Sequence, residues 1–343
     1  MEIKKSFSSF IYGWIFGFTY FVSNIYWIAN SLTVEEIFKP LIPFAITIIP
    51  LFLGIFYGIT FLIFFYFKPR KKIESIFLFA LIFSFIEYLR GHVFGGFPWN
   101  LISFSLVEID QFIQILSYVG TYSFNLLVVT FFLVPTVILF NVSSRAKLIT
   151  ILLAVTLVVS NLIFGNLVLN KHNNTPNTSM NTIVKIVSPK IDLKRFFDGT
   201  DPFLVIKDLA EIGNIDHRDA VYIYPEGILP SINLNEIQDY SSVFGNYFQN
   251  NHKIIVGITR YKETEIFNSM ALLDNDLKLI SVYDKNKLVP FGEYLPFENF
   301  LKNYGFKKIT QGYQSFSSAS ERDLIKMNDT KFLPLICYEI IYS

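Results

Sequence analysis

The sequence predicts a multi-span α-helical membrane domain followed by an α/β domain. Three observations lead there. Hydrophobic residues make up 52% of the 343 positions, 38 of them Phe, and the mean hydropathy is +0.43, too apolar for an ordinary soluble domain. Membrane-length apolar runs fill residues 1–170, whereas charged residues are thin there and dense after Lys171. Beyond residue 181 the pattern shortens to β-type runs with helical spacings between them, as in a layered α/β sheet.

Five runs approach the roughly 20 apolar residues that cross about 30 Å of hydrocarbon. They are Phe7–Leu32, Leu41–Phe67, Ile73–Leu89, Phe112–Phe140 and Leu148–Asn170, the third weakened by Glu74 and Glu87. The first is too long for a signal peptide and is followed by others. Lys4 and Lys5 precede the first run, Lys68, Arg70, Lys71 and Lys72 follow the second, and Arg145 and Lys147 follow the fourth. The alternate loops carry only Lys39 and Arg90, so the positive-inside rule puts the N-terminus in the cytoplasm and residues after Lys171 on the far side. Gly13 and Gly17, and again Gly54 and Gly58, have GxxxG spacing. That spacing lets helices approach closely, though glycines are common in any membrane helix. The loop RGHVFGGFPWN, residues 90–100, places Arg90, Pro98 and Trp99 where an interface anchor or a lipid-headgroup contact would sit.

Residues 171–181 are polar and read as a linker. Residues 182–343 then form the second domain. Strands are expected at Thr182–Val187, Ala220–Tyr224, Lys253–Thr259, Phe267–Leu273 and Leu279–Asp284, with Asp274–Asp276 as a turn. A helix is expected at Pro202–Ile212, with Thr200 or Asp201 as cap and Pro202 in the first turn, and another at Asn235–Asn250. Lys331–Ile336 is a further strand-like run.

Net charge is +1, so no global field points to nucleic acid. The four histidines show no metal-ligand spacing, and neither a metal nor a cofactor is expected. The single cysteine, Cys337, excludes an internal disulfide framework and leaves a thiol to explain. It follows an apolar run in LICYE, where either an inert core thiol or a presented nucleophile fits. Glu226, in YPEG after a strand, could take a thiol proton, or be a surface turn residue. Lys285, in DKNKLVPFGEYLP, could stabilise an oxyanion and favour a thiolate, or be a solvated turn lysine. Glu293, eight residues on in a Pro/Gly-rich loop, could hold that lysine or support proton transfer.

The order Glu, Lys, Cys in these phrases resembles the nitrilase/carbon–nitrogen hydrolase superfamily. Joined to GWIFGFTYFVSNIYWI, RGHVFGGFPWN and FNSMALL in the same chain order, it resembles the apolipoprotein N-acyltransferase family over nearly the whole chain. The resemblance implies a nitrilase-like α-β-β-α sandwich for the second domain. It also implies Cys337 as nucleophile, Glu226 as base and Lys285, rather than Lys287, as the oxyanion-side cation. Glu293, Tyr338 and Glu339 would be supporting residues, and Asn268 matches a family asparagine. The implied chemistry is ping-pong transfer, from a phospholipid acyl donor through a Cys337 thioester to the α-amine of a diacylglyceryl-modified apolipoprotein. The implied setting is the bacterial inner membrane, with the catalytic domain on the periplasmic side. The segment Tyr294–Phe316, carrying Phe297, Phe300, Leu301, Tyr304 and Phe306, is expected either as a lid dipping into lipid or as ordinary packing.

The chain stops six residues past Cys337, and its first span resembles the family's third. The resemblance therefore implies a domain incomplete at the C-terminus, a chain short at both ends and poor activity for these residues alone. Two other readings are a membrane-tethered amidase that uses water as acceptor, and an inactive remnant. A transporter is less attractive, because the spans carry few intramembrane charges.

Overall fold

The structure is a computed structural model that describes residues 5–33, 36–173, 183–189, 201–216, 218–229, 232–290, 292–295, 315–327 and 330–341. The chain divides into two compact units, residues 1–176 and 177–342.

In the first unit, α1 (Ser6–Ile25), α2 (Ile42–Phe67), α3 (Lys72–Arg90), the short turns α4 (Asp110–Ile113) and α5 (Leu116–Val119), α6 (Thr121–Leu133) and α7 (Ser144–Asn173) follow in order. Three segments among the described residues are helical, long and apolar enough to cross a membrane: Phe38–Phe67, Thr121–Leu139 and Ser144–Asn173. The first expected span is α-helical only to Ile25 and then tightens into a 3₁₀ segment, Tyr26–Thr33. The fourth begins later than its hydropathy suggested. Gly120, at φ +76°, separates the short turns from α6, a conformation that only glycine adopts cheaply. The expected linker starts later too, because α7 continues through Asn173, and residues 174–181 lie outside the described ones.

The two GxxxG pairs let α1 and α2 pack closely. The buried residues of α1 are Ser9, Gly13, Gly17, Phe21 and Ile25, one every fourth position, so a single ridge faces the partner helix. A Cβ on Gly13 would lie 2.5 Å from the Tyr57 carbonyl oxygen, and one on Gly17 would lie 2.9 Å from the Gly54 Cα. Ser9 and Trp14 of α1 donate to the Phe61 and Leu51 carbonyls of α2, both at 2.9 Å.

Arg90 refines an expectation. Of its two expected roles the buried geometry favours the structural anchor, but within the unit, where the residue is 1% exposed. Its guanidinium is ion-paired with Glu87, one turn back on α3. It also donates to the carbonyls of Phe97 at 2.5 Å and Trp99 at 2.9 Å. The loop thus pinned contains left-handed residues at Phe94, Gly95, Gly96 and Asn100, and the cation that restrains it sits over the Phe21 ring at 5.1 Å.

The second unit is built on a five-stranded sheet of order β1-β2-β3-β4-β5: Ile183–Ile186, Ala220–Ile223, His252–Lys262, Glu265–Asp274 and Leu279–Asp284. The first three strands run parallel and the last two antiparallel. Parallel strands need crossovers. The first is α8 (Pro202–Gly213), whose N-cap is Asp201, accepting from the Phe203 N–H at 3.0 Å. The expected helix at Asn235–Asn250 is instead a 3₁₀ turn, Ile237–Tyr240, followed by the one-turn α9 (Ser241–Gly245). The ring- and Asn-rich stretch that follows cannot prolong it at good helix propensity.

Alternation along the strands divides the apolar residues between two faces. Tyr222, Ile254, Val256, Ala271 and Leu273 pack with Val205, Ile206 and Leu209 of α8 and with Phe244 and Phe248. Val221, Ile255, Leu272 and Tyr283 pack on the opposite face with Ile325 and Met327 of β6 (Ile325–Met327) and with Ile336. β6 pairs antiparallel with β7 (Thr330–Phe332). This is part of an α-β-β layering.

Two outcomes follow for the first unit. Gly17→Leu should force α1 from α2 and destabilise the unit by about 1–3 kcal/mol, read as a lower unfolding temperature in detergent. Arg90→Met should cost about 3–5 kcal/mol by leaving Glu87 buried and unpaired, while E87Q/R90M should cost less than R90M alone.

Candidate active site

The sheet carries three of the expected site residues to one place. Glu226 follows β2 in the turn Tyr224–Gly227, and Gly227 at φ +63° closes that turn. Asn268 lies on β4, and Lys285 immediately follows β5. Asn268 shares the strand face of Met270 and Leu272, the side on which β6 and Ile336 pack. Its amide nitrogen donates to Glu226 Oε1 at 2.5 Å and to Glu293 Oε1 at 2.8 Å. Lys285 Nζ donates to that same Glu293 oxygen at 2.9 Å. One hydrogen-bonded chain therefore runs Glu226–Asn268–Glu293–Lys285.

Lys285 is 1% exposed and would be costly to bury alone. Glu293 neutralises it and is itself fixed at Oε2 by the Val289 N–H, 2.8 Å away. The turn from Lys285 to Glu293 is thus closed on its own ion pair. Lys287, by contrast, is exposed.

Cys337 departs from its expected setting. β7 ends at Phe332, and residues 333–336 are irregular, so the thiol does not terminate a strand. Pro334 offers no N–H to continue the ladder. Cys337 instead opens the 3₁₀ turn Cys337–Ile341 with a left-handed φ of +49°. A non-glycine residue in that conformation stores of order 1–3 kcal/mol of strain, and Cys337 itself is exposed. The Tyr338 backbone N–H is directed at the sulfur and favours the thiolate. Burial of the surrounding structure pushes the thiol up, and Glu226 and then Glu293 push it the same way, against Lys285, which pulls it down. The thiol thus lies within electrostatic reach of both carboxylates and the ammonium.

Glu339 is fully buried and accepts from four donors. Oε1 takes the Tyr283 hydroxyl at 2.8 Å and the backbone N–H groups of Asn286 at 2.8 Å and Lys287 at 3.0 Å. Oε2 takes the Ile336 N–H at 2.9 Å. The residues on either side of Cys337 are thereby tied to the loop that begins at Lys285. Tyr338 is buried beside the thiol. Most of the proposed lid, residues 296–314, lies outside the described residues.

Sequence reasoning missed Gly257 on β3. A Cβ there would lie 2.5 Å from the Glu226 Cα and 3.0 Å from its nitrogen. The only available signal was a glycine inside a strand pattern, which suggests close backbone approach. It also missed β6, whose three residues are too few to show a period.

The chain joins a unit with helices of membrane-crossing length to a unit built on a mixed five-stranded sheet. The family model for the carbon-nitrogen hydrolases matches residues 247–343, and that for the apolipoprotein N-acyltransferase N-terminal domain matches residues 2–134. The chain is thus similar to the apolipoprotein N-acyltransferase family in both of these regions. It is 30% identical to the apolipoprotein N-acyltransferase of Rhizobium rhizogenes, over 97% of this chain and 64% of that one. It is 30% identical to that of Brucella melitensis, over 96% and 64%, and 29% identical to that of Rhizobium meliloti, again over 96% and 64%. The chain thus spans just under two thirds of the length of these relatives. Glu226 precedes the hydrolase match, so its place in the site rests on geometry.

Because the thiol is the chain's single cysteine, alkylation reads it alone. Its midpoint should lie above the ordinary thiol value of about 8.5. Removing a negative neighbour with Glu226→Gln should lower the midpoint, and removing the positive one with Lys285→Met should raise it. Midpoints unmoved in both variants would mean that the thiol does not sense these groups.

Proposed function

We propose that the chain carries the acyl-transfer site of a lipoprotein-maturing enzyme, with Cys337 as nucleophile, Glu226 as general base and Lys285 as the oxyanion-side cation. The observation that supports this reading best is the hydrogen-bonded chain Glu226–Asn268–Glu293–Lys285 with the strained Cys337 turn in its electrostatic reach.

The first half-reaction joins the Cys337 sulfur to the carbonyl carbon of a phospholipid acyl ester, and the thiol proton passes to Glu226. The carbonyl oxygen becomes an oxyanion, stabilised by the Lys285 ammonium and the Tyr338 N–H. Collapse breaks the ester C–O bond, Glu226 returns the proton to the leaving alkoxide, and a lysophospholipid departs. In the second half-reaction the α-amine of a diacylglyceryl-cysteine attacks the thioester. An N–C bond forms, the C–S bond breaks, and the amine's proton returns through Glu226 to sulfur. A thioester suits this sequence, since it is reactive enough for an amine to resolve. In this reading Glu293 orients the lysine, Asn268 holds Glu226 toward the thiol, and Glu339 fixes the nucleophile turn.

The acyl donor and the acceptor both carry membrane-embedded acyl chains, which accords with apolar helices of membrane-crossing length in the same chain. With an odd number of spans and a cytoplasmic N-terminus, the second unit faces the far side of the bacterial inner membrane, the periplasm in a Gram-negative cell.

Given labelled phospholipid, the chain should acquire a hydroxylamine-labile acyl group that C337S lacks. A diacylglyceryl-cysteine peptide should then receive the label as a hydroxylamine-stable amide. Turnover of a soluble amide with no label from lipid would replace this reading with a membrane-tethered hydrolase.

A further inference from the structure

We propose that Gly257 is a positioning residue for the general base, its missing side chain being the space in which the Glu226 backbone is seated. The inference rests on the reading of Glu226 as that base. Gly257 lies on β3, paired with Met270 of β4, two rungs from the Thr259–Asn268 pair. By alternation it shares the face of Ile255, the face from which Asn268 reaches Glu226. Any Cβ at this position would meet the Glu226 Cα at 2.5 Å, its nitrogen at 3.0 Å and the Pro225 oxygen at 3.1 Å.

All three of these neighbours are backbone atoms, so no rotamer change can relieve the contact. The Pro225–Glu226 segment itself has to move away from the sheet. Nor does the position need glycine for its dihedrals, because it lies within a regular antiparallel ladder and its φ is not positive. The absent side chain is explained by closeness alone.

The consequence is geometric. Glu226 is an exposed turn residue whose carboxylate accepts from the Asn268 amide at 2.5 Å. Backbone seating against Gly257 and side-chain capture by Asn268 together set how far the carboxylate reaches. A displacement of the order of 1 Å matters for a proton acceptor, because catalytic geometry is steep in distance.

The test is the pH profile of Cys337 alkylation in the full chain, in detergent, for wild type, G257A, E226Q and G257A/E226Q. With Glu226 pushed away, the G257A midpoint should fall by about 0.5–1 pH unit, in the same direction as E226Q. The two chains carrying E226Q should share one midpoint, since Gly257 then has no charge left to position. A folded G257A with the wild-type midpoint would overturn the proposal. So would a G257A shift of equal size in the E226Q background, which would mean that Gly257 acts by another route. If E226Q itself leaves the midpoint unchanged, the reading of Glu226 as the thiol's base falls, and this inference falls with it. If E226Q moves it and G257A does not, only the role of Gly257 is lost. Should G257A fail to fold, P225G/G257A, whose turn can yield, takes its place against P225G as control. A lower midpoint in the double variant supports the proposal, and equal midpoints overturn it.

Discussion

The buried carboxylate of Glu339 is the constraint on which the rest of the second unit's site depends. Its four donors come from two stretches distant in sequence: Tyr283 at the end of β5 with Asn286 and Lys287 just beyond it, and Ile336 before Cys337. A charge with no exposure survives only when its lone pairs are satisfied. Those donors stay in place around Glu339 only while the Cys337 turn and the lysine loop are held together. The same donors raise the cost of moving either one. The Tyr283 hydroxyl is pushed well above its usual range, first by burial and then by this carboxylate, so it stays a donor.

Both units use the same physics in different surroundings. In the first, Glu87 and Arg90 lie one turn apart on α3, and the arginine's remaining donors gather the carbonyls of Phe97 and Trp99. In the second, Lys285 and Glu293 lie eight residues apart across a loop, and the carboxylate's remaining oxygen gathers the Val289 N–H. In each case a buried pair does not simply cancel itself. The unused hydrogen-bonding capacity of one partner is spent on backbone groups of an irregular segment that has no ladder of its own. Such pairs contribute little net stability compared with apolar packing, but they specify one loop conformation.

What could be read from the sequence follows from how local each signal is. The strands β1 to β5 and α8 were legible because their periods, the Asp201–Pro202 start and the Asp274–Asp276 turn are encoded within a few residues. The lengths of the membrane helices were less legible. Hydropathy carried the fourth expected span straight through Gly120, because a φ of +76° leaves no trace in an apolar average. The run Lys331–Ile336 was misjudged as strand to its end, although Pro334 marked the limit of the ladder. The burial of Arg90, expected as an anchor at the interface, was illegible for a different reason. A lone arginine at a helix end reads as an interface residue, and its burial depends on Glu87 and on two carbonyls supplied by tertiary structure. The Glu226, Lys285 and Cys337 phrases were individually ambiguous and became specific only as an ordered set. Gly257 belongs to no phrase, and its significance is a distance to another segment's backbone.

The charge balance around the thiol bears on how such a site would work. Burial foremost, and then Glu226, favour the protonated sulfur at Cys337, with Lys285 and the Tyr338 N–H acting against them and Glu293 adding to them. A resting thiol is less prone than a thiolate to oxidation or to stray electrophiles. In the proposed mechanism that balance reverses when a substrate is attacked. Transfer of the sulfur's proton neutralises Glu226 and removes the larger of the two repulsive charges. Lys285 and Glu293 then remain as a pair whose positive end lies on the side where the oxyanion forms. The same carboxylate that disfavours the thiolate at rest thereby becomes the means of generating it during attack, and proton transfer and charge stabilisation are coupled through one short chain of hydrogen bonds.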